Sequence, residues 1–202
     1  QLLLDNLGNS LVLVMVVLFQ ADIRNALAQF GLITLFRDTG LQRKNVVDSI
    51  LQSCIVLARQ RIGALIVFEQ EVGLRNYSER GVPINASVSE ELVQSIFHPT
   101  SPLHDGAVVI SRKGELLAAR CILPVSMNSR LDPDLGTRHR AAIGLTEETD
   151  AVVLVVSEER KEISLSYQGK LVRGANENIR STLLEVLEGK VPDTLKQSAD
   201  EE

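Results

Sequence analysis

Apolar positions along this chain fall into helical and strand periods that alternate. Ile23, Ala26, Leu27, Phe30 and Ile33 recur at helical spacing, and Val47, Ile50, Leu51, Cys54 and Ala58 do so again. Gly63 reads as the stop of that second helix, and Ala64–Phe68 as a short apolar strand. Ser87-x-x-Glu90 has the form of a capping box, opening a helix that buries Leu92, Val93, Ile96 and Phe97. Pro99 and Pro102 bound the next loop. Ala107–Ile110 then reads as a strand, Lys113-Gly114 as a turn, and 116–123 as a second strand. The run 151–156 is wholly apolar, as a strand covered on both faces is. Ile163, Leu165 and Tyr167 alternate with Ser164 and Ser166, which predicts a strand with one wet face, turned back at Gln168-Gly169 into Leu171-Val172. Ile179, Leu183, Val186 and Leu187 mark a last helix. The fold predicted is α/β: a mixed β-sheet flanked by helices in one domain over 43–190, with a linker helix over 22–42 before it and a polar, acidic, frayed tail over 191–202.

The first residues do not fit that domain. No charge occurs over 6–21, and 11–19 is apolar throughout. A spanning helix needs about 20 such residues. Because the chain starts at Gln1, this N-terminal hydrophobic helix over 1–21 reads as the end of a transmembrane segment whose upstream part is missing. A buried core helix is the competing reading. Neither a basic start nor a small-residue cleavage site flanks the run, which argues against a signal peptide. Arg24, Arg37, Arg43 and Lys44 follow it, and basic residues after a span place that side in the cytoplasm. The expected location is the cell membrane, with the body of the chain on the cytoplasmic side.

Charge and composition narrow the function. Lys and Arg number 21 against 26 Asp and Glu, a net charge of −5, whereas binding to a phosphate backbone calls for a basic face. The lack of Trp speaks equally against aromatic platforms for single strands. No nucleic-acid partner is expected. Cys54 and Cys121 form no Cys-x-x-Cys pattern and read as small apolar side chains in a reducing compartment. The P-loop and Gly-x-Gly-x-x-Gly fingerprints are absent, as are His-Glu-x-x-His, a Cys/His quartet and Gly-x-Ser-x-Gly.

Three stretches carry candidate chemistry. In the first, Pro102-Leu103-His104-Asp105-Gly106-Ala107 runs straight into an apolar strand. Asp-Gly is common turn chemistry. A His-Asp pair at the mouth of a buried strand also sets an imidazole and a carboxylate at a cleft rim, where Gly106 and Ala107 would let a ligand approach the backbone. In the second, Gly136-Thr137-Arg138-His139-Arg140-Ala141-Ala142, Thr137 reads as an N-cap and the rest as a helix start. Free N–H groups there favour an anion by about 0.3–1 kcal/mol. Each hydrogen bond to a charged group adds about 1.5–3 kcal/mol, so the arginines outweigh the helix terminus. The alternative is a solvated basic turn paired with Asp132 and Asp134. The third is Ser157-Glu158-Glu159, directly after the apolar strand. If the strands at 107 and 156 run antiparallel, Asp105 and Glu158 fall at one sheet edge, and carboxylates beside arginines make a site for a cation and a polyphosphate together.

Asp105-Gly106-Ala107, followed about thirty residues on by Gly-Thr-Arg-His-Arg-Ala-Ala at 136–142, resembles the diadenylate cyclase (DAC) domain. The similarity runs from about Phe19 to Leu187, and the hydrophobic lead-in resembles the membrane-anchored CdaA type. The resemblance implies condensation of two ATP into cyclic di-AMP with release of two pyrophosphates, aided by Mg²⁺ or Mn²⁺, in a face-to-face homodimer. It implies that Asp105 binds the metal and helps activate the 3′-hydroxyl, with His104 and Glu158 as further metal ligands and Gly106 and Ala107 against the nucleotide. Thr137, Arg138, His139, Arg140, Ser157 and Glu158 would hold the phosphates; Glu159 is a weaker candidate. Leu123 and Ile122 would line the adenine pocket. A membrane-bound regulatory protein is a further implied partner. Two other classes remain: a silent membrane-tethered sensor of nucleotide or cyclic dinucleotide, and a membrane-anchored interaction module.

Overall fold

The computed structural model describes residues 39–129, 131–173, 176–190 and 192. The hydrophobic stretch over 6–21, most of the expected linker helix and the tail from 193 lie outside the described residues. Among the described residues, no helix is long and apolar enough to cross a membrane. By contacts the chain divides between Gly40 and Leu41, and the unit from Leu41 onward carries the whole sheet.

Seven strands form one sheet: β1 (Ala64–Phe68), β2 (Val82–Ser87), β3 (Ala107–Ile110), β4 (Glu115–Cys121), β5 (Val152–Val156), β6 (Ile163–Tyr167) and β7 (Lys170–Arg173). Their spatial order is β2-β4-β3-β1-β5-β6-β7. β1 and β3 are parallel and every other neighbouring pair is antiparallel, so the sheet is mixed. The helices are α1 (Thr39–Arg59), α2 (Arg75–Ser78), α3 (Glu90–Phe97), α4 (Thr137–Glu148) and α5 (Asn176–Leu187).

Two apolar layers explain the uninterrupted strands. On one face, Ile50 and Cys54 of α1, Phe97 of α3 and Leu183 of α5 pack with Ile66, Val108 and Leu154. On the other, Ala142 and Leu145 of α4 pack with Leu65, Val67, Val109 and Val155. Alternate residues of β1 and β5 thus bury on opposite faces, each worth about 1.5–3 kcal/mol. An unpartnered hydroxyl in either strand would offset about one such side chain, so both are purely apolar.

Four local expectations are corrected. α1 ends at Arg59, and Arg61, with φ +60°, turns the chain, so Gly63 is not the helix stop. Ser89 caps α3, its hydroxyl accepting from Leu92 N at 3.2 Å, while Ser87 ends β2. β2 itself was not anticipated: Pro83 and a register shift before Ala86 break its alternation, which an edge strand tolerates. β6 has no wet face. Ser164 and Ser166 are buried, and Ser166 Oγ bonds Thr146 Oγ1 of α4 at 2.8 Å, so a partnered polar pair stands where alternation predicted water.

Candidate active site

Sheet register brings three chain segments to one rim. Ala64 pairs with Val156, and Ile66 with Val108. β3 and β5 therefore run antiparallel to each other across β1, and their site ends share an edge with the start of β1. Gly63, Asp105-Gly106 and Ser157-Glu158 lie there together, so the antiparallel condition set from the sequence is met.

α4 begins at the same rim. Its N-cap is Gly136 rather than Thr137, and no side chain caps it, so the first N–H groups remain for an anion. Thr137 is the first helical residue. Arg138 Nη1 donates to Glu158 Oε2 at 3.1 Å, joining α4 to the turn after β5. Gly63 makes this pair possible: a Cβ there would overlap Arg138 Nη1 and stand 2.9 Å from Glu158 Oε2.

Two clefts flank that ion pair. The larger, of about 540 Å³, is lined by Leu65, Arg80, Asp105, Arg120, Ile122 and Leu123 among others. Asp105 is exposed at its wall; Leu123 is buried, whereas Ile122 is 71% exposed. The smaller, of about 200 Å³, is lined by His139, Ser157, Glu158, Glu159 and Arg160 among others. Thr137 and Arg138 belong to both. A molecule with an apolar base and a chain of phosphates can therefore lie in the larger cleft and cross these two residues into the smaller. Ser157 is buried, its hydroxyl accepting from Arg160 N at 3.2 Å, which shapes the turn carrying Glu158 and Glu159.

The remaining expected residues are placed differently. Arg140 lines neither cleft; its Nε donates to Leu135 O at 3.3 Å and steadies the loop before α4. His104 also lines neither, with Nδ1 2.6 Å from Ser101 O. That carbonyl partner assigns the proton to Nδ1 and leaves Nε2 as an acceptor. Ala107 is buried in β3. Gly106 lines the larger cleft; a Cβ there would stand 2.8 Å from the Arg120 carbonyl carbon, so the backbone of β4 fills the space a side chain would take, and φ is +134°. Asp132 and Asp134 pair with Arg173 and Arg160, not with Arg138 or Arg140.

His139 is held below the ordinary imidazole range by burial, with Arg173 and Arg160 adding to the effect. The unfolded chain takes up this proton near the ordinary value of 6.5 while the folded chain resists it. The stabilisation is complete above that pH and declines as pH falls through and below it. A denaturation midpoint followed from pH 7 to 5 is expected to drop more steeply than in His139→Gln; equal slopes would contradict the assignment.

Sequence reasoning missed Gly63, Arg80, Arg120, Arg160 and Arg173. Only Arg120 carried a signal: strict alternation puts it on the core face of Leu116 and Ala118, where an arginine does not belong. The strand resolves this with a register irregularity against β3 and φ +56° at Arg120.

Comparison with known proteins shows the family. The model of the DAC family, described as DisA bacterial checkpoint controller nucleotide-binding, matches residues 51–171, more than half of the chain. The chain belongs to the DAC family. It is 39% identical over 177 residues to the cyclic di-AMP synthase CdaA of Bacillus subtilis, covering 86% of this chain and 64% of that protein. The chain thus spans slightly under two thirds of that relative's length. A solved double mutant of DacA from Staphylococcus aureus superposes with a TM-score of 0.70 at 41% identity, covering 72% of this chain and 97% of that one. A structure described as a hypothetical membrane spanning protein from Bacillus cereus gives 0.61 at 41% identity, covering 63% and 62%. The DAC match includes Asp105-Gly106-Ala107 and both arginines of the α4 start.

Proposed function

We propose that this chain is a diadenylate cyclase that joins two ATP molecules into cyclic di-AMP and releases two pyrophosphates. One observation carries the reading: Asp105 and Arg138 line one cleft, and Arg138 with Thr137 continues into a second, phosphate-sized one. Adenine lies against Leu123 and Leu65. Thr137 and the α4 N–H groups bind the phosphate chain, and Glu158 holds Arg138 across it. Asp105 takes the 3′-hydroxyl proton, directly or through a water. The 3′-oxygen then bonds to the α-phosphorus of the opposite ATP, and the bond to the β-bridging oxygen breaks with its electron pair leaving on pyrophosphate. Positioning and charge neutralisation supply the rate.

The donor set suits a magnesium-type cation. Asp105 offers an exposed carboxylate at the larger cleft, and Glu158 keeps one oxygen outside its bond to Arg138. Magnesium takes one or two protein carboxylates and the rest of its ligands from phosphate and water. Bound Mg²⁺ or Mn²⁺ supplies charge neutralisation at the phosphates.

The product is two-fold symmetric, so the productive unit is a homodimer with sites face to face. Anchoring at the membrane through 6–21, with the domain on the cytoplasmic side, rests on the basic residues after that stretch and on the description of the Bacillus cereus relative.

Incubation with ATP and Mn²⁺ is expected to yield a species with the mass of cyclic di-AMP, with activity per subunit falling on dilution. ATP binding without that product would favour the sensor reading. Gly63→Ala is expected to displace Arg138 from Glu158 and to lower turnover by about 10- to 100-fold, the worth of one charged hydrogen bond. Its Cβ meets only the ends of flexible side chains, so denaturant stability should change by less than about 1.5 kcal/mol. A large stability loss with normal turnover in the folded fraction would contradict this role.

A further inference from the structure

The smaller cleft holds cations that the Thr137–His139 start of α4 does not supply. Arg160, in the turn after β5, and Arg173, at the end of β7, line it together with Arg138. Arg138 is fixed by its 3.1 Å bond to Glu158. The other two are held by carboxylates of a single loop: Arg173 Nη2 donates to Asp132 Oδ2 at 3.3 Å, and Arg160 Nη2 stands 3.8 Å from Asp134 Oδ2. The latter separation exceeds hydrogen-bond reach, and the Asp134 side chain is 80% exposed. Arg160 therefore has a loose, solvent-screened partner that it can exchange at small cost. Glu159 and Glu162 also line this cleft, exposed in the turn after β5.

An ATP whose sugar lies at Asp105 must send its phosphates over Thr137 and Arg138, the residues common to both clefts, so its β- and γ-phosphates arrive beside Arg160. We propose that Arg160, backed by Arg173, receives the departing pyrophosphate and releases Asp134 as it does so. This inference rests on the cyclase reading. As the 3′-oxygen bonds to the α-phosphorus and the bond to the β-bridging oxygen breaks, the electron pair moves onto pyrophosphate. A forked guanidinium at that end meets a charge that grows during the step, so it acts on turnover more than on ATP binding.

The test compares the full chain with Arg160→Gln, Arg160→Lys, Asp134→Asn and the remote exposed control Arg75→Gln. Calorimetry with inorganic pyrophosphate and steady-state cyclic di-AMP synthesis are measured for each, with thermal melting as the folding check. Arg160→Gln should weaken pyrophosphate binding by about 10- to 100-fold and lower kcat by a similar factor with little change in KM. Arg160→Lys should recover part of both, and Asp134→Asn should tighten pyrophosphate by about 2- to 5-fold. Unchanged kcat and pyrophosphate affinity in Arg160→Gln, with product still made by the unaltered chain, overturns the proposal and leaves the cyclase reading standing. If the unaltered chain makes no cyclic di-AMP, both fall, even where pyrophosphate binds through Arg160.

Discussion

Asp105→Asn is expected to stop cyclic di-AMP synthesis, by about 10²- to 10⁴-fold, the usual worth of a positioned proton acceptor, while much of the ATP binding survives. Asparagine keeps the size and shape of the side chain, and Asp105 is exposed at the rim, so the fold should not register the change. In the proposed complex ATP is held by Leu65, Leu123, Thr137 and the α4 start, all lining the same cleft and none of them altered by this substitution. Turnover alone should collapse. Titration of ATP by calorimetry beside a product assay separates the two quantities; normal turnover in this variant would remove Asp105 from the chemistry.

Gly106→Ala is expected to act on the fold itself. Gly106 sits at φ +134°, where an L side chain costs about 1–3 kcal/mol. Its Cβ would also press on rigid backbone, 2.8 Å from the Arg120 carbonyl carbon and 2.9 Å from Cys121 O, and such overpacking costs about 1–3 kcal/mol more. The total, about 2–6 kcal/mol, contrasts with Gly63→Ala, where side-chain ends can move aside. Urea unfolding of the two variants should rank them clearly; a loss below about 1 kcal/mol for Gly106→Ala would show that β4 can retreat.

Reading the fold from sequence succeeded where burial is two-sided. β1, β3 and β5 are uninterrupted apolar runs because helices cover both faces. It failed where tertiary contacts override local pattern. Ser164 and Ser166 alternate as a wet face would, yet α4 covers them and Thr146 satisfies Ser166. β2 is an edge strand interrupted by Pro83 and a bulge, with too little periodicity to read. The lining of the two clefts was legible where its residues are contiguous, at Asp105-Gly106 and at 137–139, because a short motif carries several groups at once. Gly63 and Arg160 were not: each matters through a contact with a residue distant in sequence, with the Arg138–Glu158 pair for Gly63 and with Asp134 for Arg160. Arg140 shows the converse, since a motif position beside Arg138 turns out to hold the loop at Leu135 instead of lining a cleft.

The claim on which the rest depends is that one nucleotide bridges both clefts, with its sugar at Asp105 and its phosphates over Thr137 and Arg138. A crystal structure with 3′-deoxy-ATP, which lacks the attacking hydroxyl, tests it directly. The predicted density has adenine against Leu123, the ribose C3′ facing Asp105, and the β- and γ-phosphates in the smaller cleft within reach of Arg160. A nucleotide whose phosphates point away from α4, or which leaves either cleft unvisited, would contradict the account.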